Sequence, residues 1–178
     1  MKLVLAVSGA SGVGLAEKFV EYLPIDENEI ELHVVVSESA SVVAHHEMRR
    51  EMITMHHNDN IAASIASGSF QVDATAVIPC SMNTLAKIAH GIADNLITRV
   101  ASVALKEQKR LLLAPREMPL SSIALENMHK LSTLGVTISP PMLGYYSDSD
   151  SIDDMERFII GKWYDTLGIR HKLYRRWS

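Results

Sequence analysis

A chain of 178 residues is one domain's worth, long enough to bury roughly two thirds of the surface that its unfolded form exposes. Hydrophobic residues at 47% and charged residues at 21% exclude a disordered chain, and a net charge of -4 argues against nucleic acid as the main partner. One cysteine, Cys80, excludes an internal disulfide framework, and no stretch reaches the roughly 18 apolar residues that a membrane helix needs.

Met1-Lys2 leads straight into a short apolar strand with no signal-peptide pattern, so a cytoplasmic chain with no membrane partner is expected. That first strand, Lys2–Val7, runs into Ser8-Gly9-Ala10-Ser11-Gly12-Val13-Gly14 and then a helix over 12–23. Glycines allow a tight turn and a close backbone approach. The helix that follows offers unpaired N–H groups and a positive dipole end, which makes the segment a phosphate-loop candidate. Its glycines stand at 9, 12 and 14 rather than at dinucleotide spacing, and the second strand, Glu31–Val36, is followed by Ser37 rather than by an acid. NAD is therefore disfavoured and a mononucleotide preferred.

The connection 24–29 is short and polar. Helical periodicity covers 38–50, and Met48, Met52 and Met55 continue at a helical spacing that suits packing. His45-His46 and His56-His57 invite a metal reading. Adjacent histidines on a helix point about 100° apart, however, and no HExxH or CxxC spacing accompanies them, so no metal is expected. His33, His90, His129 and His171 have no partner pattern and read as structural or surface groups.

A third apolar strand over 74–78 ends in Ile78-Pro79-Cys80-Ser81-Met82-Asn83-Thr84. Its hydroxyl and amide groups suit a phosphate or the polar edge of a heterocycle, and Ser81 or Asn83 equally suits a helix cap. Cys80 reads as a buried, inert thiol with no histidine near it in sequence. The span 83–108 is too long for one ordinary helix. His90-Gly91 breaks it, Asp94 or Asn95 caps the second half, and Arg99 and Lys106, two turns apart, share a face.

The next strand, 110–114, gives way to Arg116-Glu117, a cation and an acid where parallel sheets carry their ligands. A helix over 119–133, a strand over 136–139 and a helix over 151–167 capped by Ser151 complete the pattern. This alternation predicts a three-layer, Rossmann-like α/β fold with a parallel sheet and helices on both faces. It spans one domain, 1–168, followed by a basic aromatic tail, 169–178. Three strand ends carry hydroxyls or glycines and a fourth carries Arg116-Glu117, so an anionic ligand is expected at the carboxyl edge.

Several strings resemble those of the flavin prenyltransferases of the UbiX type: Ser8-Gly-Ala-Ser-Gly12, Ala66-Ser-Gly-Ser69, Pro79-Cys-Ser-Met-Asn-Thr84, Leu105-Lys-Glu107 and Pro115-Arg-Glu-Met-Pro-Leu-Ser-Ser122. Leu125-Glu-Asn-Met128 and Gly144-Tyr-Tyr146 are similar too, and the order is kept over nearly the whole chain. The resemblance implies transfer of a dimethylallyl group from dimethylallyl monophosphate to N5 and C6 of reduced FMN. The product would be the prenylated flavin used by UbiD-type decarboxylases.

Carried over residue by residue, it implies flavin contacts at Gly9, Ala10, Ser11, Ser37, Ser81, Met82, Asn83, Thr84 and Arg116, with Arg99 near anionic groups. It implies contacts to dimethylallyl phosphate at Lys106, Arg116, Tyr146 and Lys162, with Trp177 of the tail close to the site. Glu117 and Glu47 fall at acids suited to proton handling, with Ser11 and Lys106 beside the reacting groups. The resemblance also implies a homo-oligomer, commonly a dodecamer, with sites shared between subunits.

The chemistry makes independent sense. Breaking an allylic carbon–oxygen bond leaves charge on the departing phosphate, which fixed cations and a phenol donor stabilise without metal. Ring closure at C6 must release a proton, which calls for a base such as Glu117. Asp153-Asp154-Met-Glu-Arg157 has no further aspartate at the spacing that a diphosphate-binding magnesium motif needs, and reads as a helix first turn. The related flavin-dependent cysteine decarboxylases carry a Pro-Ala-Ser-Ala-Asn-Thr string that is absent here. A flavin-binding or storage protein is the rival from another class.

Overall fold

The computed structural model describes residues 1–9, 11–38, 53–145 and 151–176. Six strands, β1 (Lys2–Val7), β2 (Glu31–Val36), β3 (Ile53–His57), β4 (Ala74–Cys80), β5 (Arg110–Pro115) and β6 (Thr137–Ile138), form one sheet in the order β3-β2-β1-β4-β5-β6. All five pairings are parallel. Chain direction along the sheet reverses between β1 and β4, which is the topological switch point of a doubly wound fold.

The helices are α1 (Val13–Glu21), α2 (Ile25–Asn28), α3 (Met82–Ala89), α4 (Leu96–Lys106), α5 (Ser122–Thr133) and α6 (Ile152–Leu167). Successive strand residues face opposite sides, so Leu3, Leu5 and Val7 of β1 join the core beneath α1 and α6. Val4 and Ala6 join the core beneath α3, α4 and α5. Cover on both faces explains why this strand is apolar throughout. Phe19, Trp163 and Tyr164 fill the first core, where the Tyr164 hydroxyl donates to the Phe19 carbonyl. Each such fully buried side chain contributes roughly 1.5–3 kcal/mol relative to leaving it in water.

Capping residues set the helix boundaries. Ser81, Asn95, Ser121 and Ser151 each accept a backbone N–H of the first turn, and Asn95 forms a reciprocal capping box with Thr98. The cap at Asn95 and the break after Ala89 divide the span 83–108 as its length demands. At the far end α6 stops at Gly168, whose φ of 78° favours glycine; a Cβ there would meet the Arg110 guanidinium at 2.6 Å.

Two sequence expectations are corrected. Met55 and His56-His57 do not continue a helix: they lie in the edge strand β3, and Met55 is 52% exposed. The run Ile53-Thr-Met-His-His57 is a half-exposed edge without an apolar core pattern, so its methionine imitated the helical spacing of its predecessors. The polar connection 24–29 also contains the short helix α2. The expected helix over 38–50, with His45, His46 and Met48, lies outside the described residues, as does Met52.

The tail packs on its own helix through residue 176. Ile169 is buried, and the Asp165 carboxylate accepts from the Tyr174 hydroxyl, Arg176 and the His171 imidazole. His171 Nδ1 accepts the Leu173 amide at 3.1 Å, so Nε2 is its protonated nitrogen toward Asp165. No helix among the described residues is long and apolar enough to cross a membrane.

Candidate functional site

The carboxyl ends of β1 and β4 meet at the switch point, and each feeds directly into a helix. After β1, Gly12 adopts φ 111° at the start of α1, and no side chain among the described residues caps that helix. After β4, Ser81 caps α3 by accepting the Thr84 N–H at 3.2 Å, while its hydroxyl donates to the Thr84 hydroxyl at 3.0 Å. Both helices leave first-turn amides without intrahelical acceptors, and both positive dipole ends point over the same edge. Two helix N-termini flanking one crevice can hold an anion such as a phosphate.

Ser8 links these two loops, and sequence reasoning did not single it out as a site residue. Its side chain is 2% exposed. It donates to the Pro79 carbonyl at 2.9 Å and accepts the Ser81 N–H at 2.8 Å. In the sequence it opens the glycine-rich loop and puts a hydroxyl where an apolar strand would continue.

The other predicted residues divide by sheet edge. Gly9, Ser11 and Asn83 are exposed at the carboxyl edge, with Ser37, Ser81, Met82 and Thr84 half-buried among them. Ser37 extends the β1–β2 ladder by donating its N–H to the Val7 carbonyl. One strand further, Arg116 and Glu117 follow Pro115, both exposed. The Glu117 carboxylate accepts the Met118 N–H at 3.1 Å, and Arg116 has no protein partner among the described residues.

Arg99 belongs to the same edge, in the first turn of α4. That helix start is clamped by Asn58, whose carbonyl and side chain accept the Leu96 and Ile97 amides, and Arg99 Nε donates to the Ala66 carbonyl at 3.3 Å. Asn58 follows the unrecognised strand β3, so its role was hidden with that strand.

Lys106 and Lys162 are not brought to this crevice by their own chain. Lys106 ends α4 just before β5 begins, so the length of β5, about 20 Å, separates it from Arg116. There it pairs with Glu107. Lys162 is exposed on the outward face of α6, beside the sheet rather than over its edge, while the neighbouring Trp163 and Tyr164 are buried. The expected face shared by Arg99 and Lys106 therefore runs from one edge of the sheet to the other. Ala10, Glu47, Tyr146 and Trp177 lie outside the described residues.

Cys80 is fully buried, and burial pushes its thiol up to about 12, so it is protonated and inert at neutral pH. Asp153 accepts from Lys18, Arg157 and Tyr22, which hold its carboxyl below the usual range, and so it ties α6 to α1. His33 is buried between His56 and Glu31, 3.1 Å and 3.0 Å away. Burial, and then His33, lower the pKa of His56. Among the described residues no three His, Cys, Asp or Glu side chains group as metal ligands.

The sequence profile of the Flavoprotein family matches residues 1–162. Flavin prenyltransferase UbiX of Helicobacter pylori strain J99 is 50% identical, the match covering 100% of this chain and 99% of that protein. A dodecameric FMN-dependent UbiX-like decarboxylase from Escherichia coli O157:H7 is similar in fold, with a TM-score of 0.91 and 39% identity over 100% of both chains. AnUbiX (PadA1), solved in complex with FMN and dimethylallyl pyrophosphate, has a TM-score of 0.90 at 35% identity, covering 99% of this chain and 97% of that one.

Proposed function

The chain belongs to the flavoprotein family, in its UbiX-type flavin prenyltransferase group, and from that membership we propose that it prenylates reduced FMN. The reaction moves a dimethylallyl group from dimethylallyl monophosphate to flavin N5 and C6. The observation that carries this reading is the pair of helix N-termini at the β1/β4 switch point with Arg116 and Glu117 one strand away. That donor set fits a flavin mononucleotide: amides of the 9–12 loop and of Ser81, Met82, Asn83 and Thr84 for its polar groups, Ser37 beside them, and Arg116 for charge.

Bound reduced flavin supplies the nucleophilic positions. The chain's own residues do the rest. Arg116, Lys106, Lys162 and the Tyr146 phenol offset the charge left on the departing phosphate. Glu117 accepts the proton lost from C6, with Glu47, Ser11 and Lys106 completing the polar surroundings and Trp177 close to them. Arg99 contributes positive potential at the same edge.

The distance of Lys106 and Lys162 from the carboxyl edge of their own subunit supports a site completed by a second copy, within a homo-oligomer of the kind seen in the dodecameric relative. The product would serve a UbiD-type decarboxylase, and the chain would act in the cytoplasm. Dimethylallyl monophosphate and reduced FMN, incubated anaerobically with the protein, should give flavin heavier by one C5 unit. Intact flavin binding without that adduct would end the transferase reading.

A second reading follows from the similarity to the UbiX-like decarboxylase. It predicts carbon dioxide release from a carboxylated substrate in place of the adduct.

A further inference from the structure

Pro79 interrupts the sheet at its centre. Proline has no N–H for the ladder, and the β4–β5 register shifts between Val77 and Cys80. On the other side, the β1–β4 pairing ends at Ala6 and Val77. Beyond that point Ser8 takes over. Its N–H reaches the Pro79 carbonyl at 3.3 Å, its hydroxyl donates to the same carbonyl, and its oxygen accepts the Ser81 N–H. The side chain thus accepts the Ser81 N–H beyond the end of the β1–β4 pairing.

The consequence concerns the site, because Ser81 is the cap of α3. A relay of two hydroxyls, Ser8 to Ser81 and Ser81 to Thr84, fixes the first turn of α3 against the start of the 9–12 loop. The Ser8 proton and a lone pair are both engaged within the protein, and the group is buried, so its effect on a ligand passes through the amides it positions.

Resting on the flavin reading above, we propose that Ser8 is a positioning residue that sets the spacing of the first turns of α1 and α3 for the flavin phosphate.

The test compares binding of FMN and of riboflavin, which lacks the phosphate, to the intact protein and to Ser8→Ala and Ser8→Thr. Ser8→Ala should weaken FMN about tenfold, the scale of one well-placed hydrogen bond, and change riboflavin by less than about twofold. Ser8→Thr, which keeps the hydroxyl, should recover FMN affinity to within about threefold. Equal weakening of both flavins, or unchanged FMN affinity in Ser8→Ala, would overturn the proposal.

Hydrogen exchange in the unmodified, flavin-free protein tests it without any variant. The Ser81 amide should exchange far more slowly than that of Asn83, and equal exchange would overturn it. Absence of FMN binding by the unmodified protein would instead overturn the flavin reading, and slow Ser81 exchange would distinguish that result from failure of the tether.

Discussion

At the scale of single residues, Arg116 and Glu117 are exposed charges that gain meaning from where β5 stops. Glu117 is held by a backbone amide, which orients a carboxylate without a counter-ion. Glu117→Gln keeps the acceptor for that amide and removes the base. It should slow single-turnover adduct formation by about a hundredfold or more while sparing flavin affinity. An unchanged rate would end its assigned role. Ser81, Asn95 and Ser151 were legible as caps because capping depends on residues two or three positions away. Ser8 was not legible as a tether, because its partner Pro79 is 71 residues distant and only the strand pairing brings them together.

Elements were legible in proportion to their burial. β1 and β2 are buried along nearly their whole length and matched their expected bounds residue for residue, whereas β3, an edge strand with polar and exposed positions, did not announce itself. The tail shows how a short segment without helix or strand is held. Burial disfavours the Asp165 charge, but hydrogen bonds from Arg176, Tyr174 and His171 outweigh it and hold the carboxyl down to about 2. The folded value lies below the unfolded one of about 3.9, so this stabilisation is complete above that range and is lost as pH falls from about 4 to about 2. Protection factors of the amides of residues 169–176, taken relative to intrinsic exchange at each pH, should fall across that window. Asp165→Asn should make the tail exchange faster at neutral pH and remove the acid step.

For the whole molecule, strand order was the gain from structure: periodicity predicted a parallel sheet, but only the pairing β3-β2-β1-β4-β5-β6 locates the reversal and hence the crevice. Periodicity was equally silent about which sheet edge Lys106 and Lys162 would reach. If sites are shared between subunits, co-assembling Glu117→Gln with Lys162→Ala should restore activity at about a quarter of the sites, since each composite site then draws both intact residues by chance. Mixtures no more active than their components would place both residues in one subunit. The lone thiol has a practical side. Cys80 lies at the reversal itself, sealed in the core beside the tethered loop. A thiol-specific reagent should reach it only when the centre of the sheet opens. Its labelling rate therefore clocks that opening, and FMN should slow the clock in proportion to its occupancy.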